Sequence, residues 1–141
     1  MEVANRLLAG KLRSSSPEAE NRTAISRAYY ALFNTVSQYL LRYKISFKST
    51  FNSHVKVVEA LRDTTNDAVI SIAEEIDGLR TVRQDADYDL DYDASDRNNA
   101  KIEVSRAQLA ISNFKKFDSS EEVAKAVRAH LVKTNQTNLL K

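Results

Sequence analysis

The sequence predicts an all-α protein, built as an up-and-down bundle of about five helices with a further short helix at the C-terminal end. The chain of 141 residues contains only two glycines and one proline, which are too few turn residues for a β-sandwich or a doubly wound α/β fold. Apolar residues instead recur at steps of three and four, which is the spacing of amphipathic helices. With 43% hydrophobic and 28% charged residues, the composition is that of one soluble globular domain.

The boundaries of the helices follow from this periodicity and from capping residues. Ser16 is suited to cap a helix, and Pro17 is tolerated at a first helical position because its missing N–H group would have no partner there. A capping-box pattern begins the last helix at Ser119. The predicted helices cover residues 3–12, 17–43, 54–62, 67–84, 96–117 and 119–131. One domain is therefore expected over residues 1–133, followed by a flexible polar tail over residues 134–141.

Several function classes are excluded by composition and by the motifs that the chain lacks. Without cysteine there can be no disulfide, thiol nucleophile or cysteine-bound metal. No Gly-rich phosphate loop, nucleotide fingerprint or Ser–His–acid set is present, so we expect neither a conventional hydrolase nor a kinase, and no cofactor. The apolar runs are too short for a membrane span and no basic-then-apolar leader opens the chain, so a cytoplasmic location is expected.

Charge is distributed unevenly along the chain. Six aspartates and no basic residue lie between Asp85 and Asp96, so this segment carries −6 and, with a net charge of +2, the other 129 residues carry +8. A mildly basic body fits weak attraction to a polyanion, and it also fits an ordinary mixed surface, which is the commoner case. The alternating aspartates resemble a calcium loop, but Leu90 occupies the position that requires glycine, so no metal site is predicted.

Two arginines occupy positions where the helical pattern calls for apolar side chains. At about 100° per residue, Arg80 and Arg83 project onto the apolar stripe of the helix predicted over residues 67–84. Because a guanidinium keeps its charge, each must meet an anion or reach a wet cleft. One hypothesis pairs the arginines with the aspartates that follow, such as Asp85 and Asp87. The other places them in a cleft, as phosphate-binding or catalytic groups.

Polar side chains form a second stripe on the helix predicted over residues 17–43. The stripe consists of Ser26, Tyr30, Asn34 and Ser37. Such groups can line a cleft against the helix predicted over residues 67–84 and bind a ligand, although the same pattern is common on helices that face solvent. His54, at the start of the next predicted helix, is either a further ligand-binding group or a local hydrogen-bonding residue.

The helix predicted over residues 96–117 has apolar residues on two faces. One face carries the three- and four-residue repeat that predicts a core contact, and Ile102 and Leu109 lie on the opposite side. A surface helix of a monomer needs only one apolar face. The second face therefore predicts that a partner subunit covers this helix.

Three stretches of the sequence together resemble the HEPN domains, a family of small helical proteins. The stretches are Ser26-Arg27-Ala28-Tyr29-Tyr30-Ala31-Leu32-Phe33-Asn34, the Ser53-His54 turn, and Leu79-Arg80-Thr81-Val82-Arg83-Gln84-Asp85-Ala86-Asp87-Tyr88-Asp89. Their order and spacing are similar to those of the family over about residues 20–117. The resemblance implies a bundle of about five helices that forms homodimers, often with a nucleotidyltransferase-like protein as partner.

The resemblance also implies a site and a range of activities. Many HEPN domains are metal-independent ribonucleases, often toxins or phage-defence effectors, whose active site is an arginine followed four to six residues later by a histidine. Arg83 matches the arginine, whereas the residue five positions later is Tyr88. A tyrosine hydroxyl, with a pKa near 10, transfers protons poorly at neutral pH. We therefore expect a module that binds nucleotide or RNA. The second hypothesis is a variant ribonuclease, in which Arg83 stabilises the anionic transition state and Tyr88, Asp85 or His54 assists proton transfer. The third is a purely structural interaction domain.

Overall fold

The computed structural model describes residues 17–47, 52–88 and 97–140 as a bundle of five α-helices, and the predicted all-α fold is confirmed. The helices are α1 (Pro17–Arg42), α2 (Ser53–Arg62), α3 (Asp67–Tyr88), α4 (Arg97–Lys115) and α5 (Glu122–Lys133), followed by a 3₁₀ helix at Thr137–Leu139. The helix predicted over residues 3–12 lies outside the described residues. Within the described ranges, no helix is both long enough and apolar enough to cross a membrane.

The three long helices set the direction of the chain through the bundle. Arg83, near the end of α3, contacts Ser26 in the first half of α1, so these two helices run antiparallel. Tyr39, near the end of α1, packs edge-on against Phe114 near the end of α4, with ring centroids 5.3 Å apart. Helices α1 and α4 therefore run parallel, with α3 antiparallel to both. The shorter helices α2 and α5 pack against each other, and α2 also packs against α3.

The apolar stripes predicted from the sequence meet in one core. The fully buried residues of α1 and α3 include Ile25, Ala28, Tyr29, Leu32, Val36, Leu40, Val69, Ala73, Ile76 and Leu79. Each large aliphatic side chain contributes about 1.5–3 kcal/mol when it leaves water. The core therefore holds α1 firmly against α3, which is the contact that positions the candidate site.

Some helix ends differ from their predicted positions. Helix α3 continues to Tyr88, beyond its predicted end near residue 84, because the alternation of aspartate with alanine and tyrosine contains no glycine or proline to stop it. At the start of α5 the predicted reciprocal capping box is wrong. The Oγ of Ser120 does accept a hydrogen bond from the Glu122 N–H at 3.2 Å, but the N-cap residue Glu121 makes no capping hydrogen bond with its side chain.

Residues 134–140 fold back onto the bundle, whereas the sequence predicts a flexible tail there. Asn135 has a positive φ of 58°, a conformation that commonly reverses the chain after a helix. Leu139 is then buried in the core, and Leu140 pairs with Ile45 in an isolated antiparallel bridge. The buried Leu139 and the bridge at Leu140 therefore hold this polar segment against the bundle.

Candidate anion-binding site

Arg83 lies half-buried on the side of α3 that faces α1. Its Nε–H donates to the Oγ of Ser26 at 3.3 Å. Its Cζ atom is 5.0 Å from the ring centroid of Tyr30 and 5.7 Å from that of Tyr29, distances at which a guanidinium is attracted to an aromatic face. Contacts with three residues of α1 therefore hold this positive charge in position.

His54, at the start of α2, contacts the same face of α1. The Tyr29 hydroxyl is hydrogen-bonded to Nδ1 of His54, and the centroid of the imidazole is 4.7 Å from that of the Phe33 ring. Burial raises the pKa of the Tyr29 hydroxyl well above its usual range, so this group keeps its proton. Because an imidazole nitrogen is a better acceptor than a phenol oxygen, we assign the hydroxyl as the donor to Nδ1. A neutral imidazole bonded in this way carries its own proton on Nε2.

Arg80, one turn before Arg83 on α3, adds a second positive charge. Burial, and then the charges of Arg80 and Arg83, lower the pKa of the His54 imidazole from its ordinary value of 6.5. His54 is therefore neutral at neutral pH, and the positive potential of the site comes from the two arginines. An anion bound here would meet guanidinium donors that form short, charge-assisted hydrogen bonds.

The structure brings five of the predicted site residues together where α1, α2 and α3 meet. They are Ser26, Tyr30, His54, Arg80 and Arg83. The two arginines are both half-buried, in agreement with the helical pattern that places them on the inner stripe. The ring of Tyr29 contacts both His54 and Arg83 directly.

The predicted roles of Asp85, Asp87 and Tyr88 stay predictions. The backbone of all three continues α3, but their side chains lie outside the described residues. Salt bridges between these aspartates and the arginines are therefore not described, and neither is a catalytic position of Tyr88. The later aspartates of the alternating segment, from Asp89 onward, also lie outside the described residues. Among the residues described, no group of three or more histidine, aspartate or glutamate side chains could hold a metal ion.

Asn34 lies apart from the arginines, although the sequence predicts one polar cleft along α1. Ser26 and Tyr30 face α3, whereas Asn34 and Ser37 line a separate groove of about 430 Å³. The stripe divides because the chain turns back after α1 and covers the second half of this helix with residues 45–47. The groove and the arginines are therefore neighbouring features rather than one cleft.

Sequence reasoning missed the part that Tyr29 and Phe33 play in the site. Both occupy the apolar stripe of α1, so the pattern predicts only that they pack in the core. A usable signal was present, because a tyrosine at a buried position needs a partner for its hydroxyl. In the structure that partner is His54.

A second notable surface lies on α4. Ile102 is 55% exposed and Leu109 is 63% exposed. The second apolar face predicted for this helix is therefore exposed to solvent in a single copy of the chain. Leu109 borders a groove of about 400 Å³ between α3 and α4. The groove is flanked by an ion pair in which Arg106 contacts Glu75 at 3.2 Å.

Comparison with known proteins finds no matching family model, no similar curated protein and no similar solved structure. The resemblance of the three sequence stretches to HEPN domains therefore stays a prediction. The chemistry of the site rests on the geometry of this chain.

Proposed function

We propose that the protein is a HEPN-like module that binds the phosphate of a nucleotide or of RNA, without efficient catalysis. The observation that carries the proposal is the pair of half-buried arginines, Arg80 and Arg83, beside the neutral His54. A guanidinium keeps its charge at every physiological pH and can donate two parallel hydrogen bonds to a phosphate. All three stretches that resemble the family contribute a residue to this cluster, which supports the proposal.

Two features favour a nucleic-acid ligand over other anions. The ring of Tyr30 is 39% exposed and lies against the Arg83 guanidinium, and an exposed aromatic ring can stack on an unpaired base. The 129 residues outside the aspartate segment carry a net +8, which favours attraction to a polyanion.

The same proposal includes a homodimer that acts in the cytoplasm. A second copy would cover Ile102 and Leu109, and the nearby groove carries both Arg106 and Glu75. A two-fold axis places the same patch of each copy in contact, so that opposite charges can face each other. The resemblance also suggests a nucleotidyltransferase-like partner in a toxin–antitoxin or phage-defence system. Light scattering should give the mass of a dimer for the wild type and of a monomer for Leu109→Glu, and a monomeric wild type would contradict this part.

The phosphate site can be tested with a labelled single-stranded RNA, followed by fluorescence anisotropy. Arg83→Gln should weaken binding about 10-fold or more, because it removes a charged hydrogen-bonding partner that contributes about 1.5–3 kcal/mol. Lys125→Gln is the control, since it removes an exposed positive charge from α5, away from the site and from the proposed dimer contact, and it should change affinity by less than about two-fold. Affinity of the wild type should also fall steeply with salt.

The outcomes separate the proposal from its competitors. Equal losses in the two variants would mean that binding depends only on general charge and would refute the site. If the wild type binds no RNA or nucleotide, while Arg83→Gln still lowers the melting temperature, the arginines serve packing alone. The protein would then be an interaction domain.

A metal-independent ribonuclease is a second candidate function, favoured by the neutral His54 that Tyr29 holds in place. For this reaction the imidazole takes its other tautomer, in which Nδ1–H donates to the Tyr29 hydroxyl and Nε2 accepts the proton of an RNA 2′-hydroxyl as the 2′-oxygen attacks the adjacent phosphorus. The 5′-oxygen then leaves and takes a proton from water, giving a 2′,3′-cyclic phosphate and a 5′-hydroxyl, while Arg83 stabilises the anionic transition state.

Cleavage can be measured by incubating RNA with the protein in EDTA. His54→Gln and Arg83→Gln should each abolish cleavage, and Tyr88→Phe tests the hydroxyl that the sequence suggests as a proton donor. No cleavage by the wild type, or cleavage by the His54 and Arg83 variants that equals that of the wild type, would remove this function.

A further inference from the structure

The groove that contains Asn34 combines an apolar floor with a polar rim. Phe33, Ile45 and Phe47 form apolar walls, whereas the exposed amides of Asn34 and Gln38 lie at the rim. Its volume of about 430 Å³ is in the range typical of pockets for small molecules. Such a lining suits a flat, weakly polar ring whose edge carries hydrogen-bonding groups.

The groove adjoins the candidate anion site. The Phe33 ring borders the groove and also lies 4.7 Å from the His54 ring, centroid to centroid. Ser53, which immediately precedes His54, lines the groove as well. Along α1, Tyr30 beside the arginine and Ser37 in the groove are separated by seven residues, or about 10 Å, a separation that a single nucleotide can span.

We propose that this groove binds the nucleobase of a nucleotide whose phosphate lies at Arg80 and Arg83. The inference rests on the phosphate site proposed above and adds the part of the ligand that this site does not contact. Phe33 supplies an aromatic surface for stacking. The amides of Asn34 and Gln38 each carry both donors and an acceptor, so they can pair with the edge of a base.

Two ligands that differ only by the base test the groove. AMP and ribose 5-phosphate carry the same phosphate and sugar, and calorimetry of the wild type should show AMP binding at least 10-fold more tightly. Ser37→Gln places extra atoms in the groove and should remove this difference while ribose 5-phosphate still binds. Ser112→Gln makes the same change at an exposed position of α4 and should keep the preference for AMP.

Each result decides between the two proposals. Equal affinities of the wild type for AMP and ribose 5-phosphate would overturn the nucleobase groove and leave the phosphate site standing. A preference for AMP that survives in Ser37→Gln would place the base elsewhere and would also overturn it. If neither ligand binds the wild type, the phosphate site fails and the groove fails with it. Asn34→Ala, which empties the rim instead of filling the groove, should lower the affinity for AMP alone.

Discussion

Removal of the Tyr29 hydroxyl tests the central contact of the candidate site. The ring of Tyr29 is fully buried, and its hydroxyl is bonded to Nδ1 of the half-buried His54. In Tyr29→Phe the ring can keep its packing, whereas Nδ1 loses its donor. A net contribution of about 1 kcal/mol from the hydrogen bond, together with the cost of a poorly solvated acceptor, predicts a loss of about 1.5 kcal/mol in the free energy of unfolding. For a domain of this size the melting temperature should fall by about 5 °C.

Urea unfolding followed by circular dichroism measures this loss, and Tyr30→Phe is the control. Tyr30 is adjacent in sequence but its ring is exposed, so removal of its hydroxyl should change stability by less than about 0.5 kcal/mol. A second measurement is the titration of His54 by NMR. The Tyr29 hydroxyl favours the neutral imidazole, so Tyr29→Phe should raise the pKa of His54. Unchanged stability together with an unchanged His54 titration would refute the hydroxyl–imidazole bond.

Three further predictions concern pH and the start of α5. Because burial and the arginines lower the pKa of His54 in the native state, the free energy of unfolding should fall as the pH drops below about 6.5. Denaturant unfolding measured between pH 5 and 8 should show this pH dependence, and His54→Gln should reduce it. Tyr39→Phe should lower the free energy of unfolding in urea by about 2 kcal/mol. The Tyr39 hydroxyl donates to the Ser120 carbonyl at 2.6 Å and accepts from the Ala124 N–H at 3.2 Å, near the start of α5. A loss below about 0.5 kcal/mol would contradict these contacts. Hydrogen bonds from Lys133 and, to a lesser extent, from His130 lower the pKa of Asp63. Its contribution to stability is therefore present above about pH 3.8 and is lost as the pH falls further. Asp63→Asn should be less stable at neutral pH and its acid unfolding should depend less on pH, and acid transitions identical to those of the wild type would contradict this.

The helices were predictable because each core stripe is regular. Val69, Ile72, Ile76 and Leu79 repeat at helical steps and are all buried, so local sequence was sufficient to predict α3 and its inner face. The end of α3 was not predictable from the same signal, since the aspartates after Gln84 suggest a loop but do not prevent a helix. The folding of residues 134–140 onto the bundle depends on Leu139, and two leucines alone form no periodic pattern.

Most residues of the candidate site were visible in the sequence. Arg80 and Arg83 interrupt an apolar stripe, and this interruption can be recognised without a structure. A buried Tyr29 signals that its hydroxyl needs a partner, but the sequence does not show that this partner is His54, because the pairing depends on how α1 packs against α2. The sequence also places Asn34 on one stripe with the residues that face the arginines. It does not show that residues 45–47 pack onto the second half of α1 and separate Asn34 from the arginines.

The candidate site exists only when the distant parts of the chain are assembled. Its two defining contacts join residues 25 and 57 positions apart, so a separate helix, or a chain that has lost its packing, cannot present the arginines together with Ser26 and His54. Any compound that binds only to the assembled site will stabilise the folded bundle, because it shifts the unfolding equilibrium by mass action. A thermal-shift screen of nucleotides can therefore detect a ligand before any reaction is known, and amide exchange in α1 and α3 should slow together when one is found.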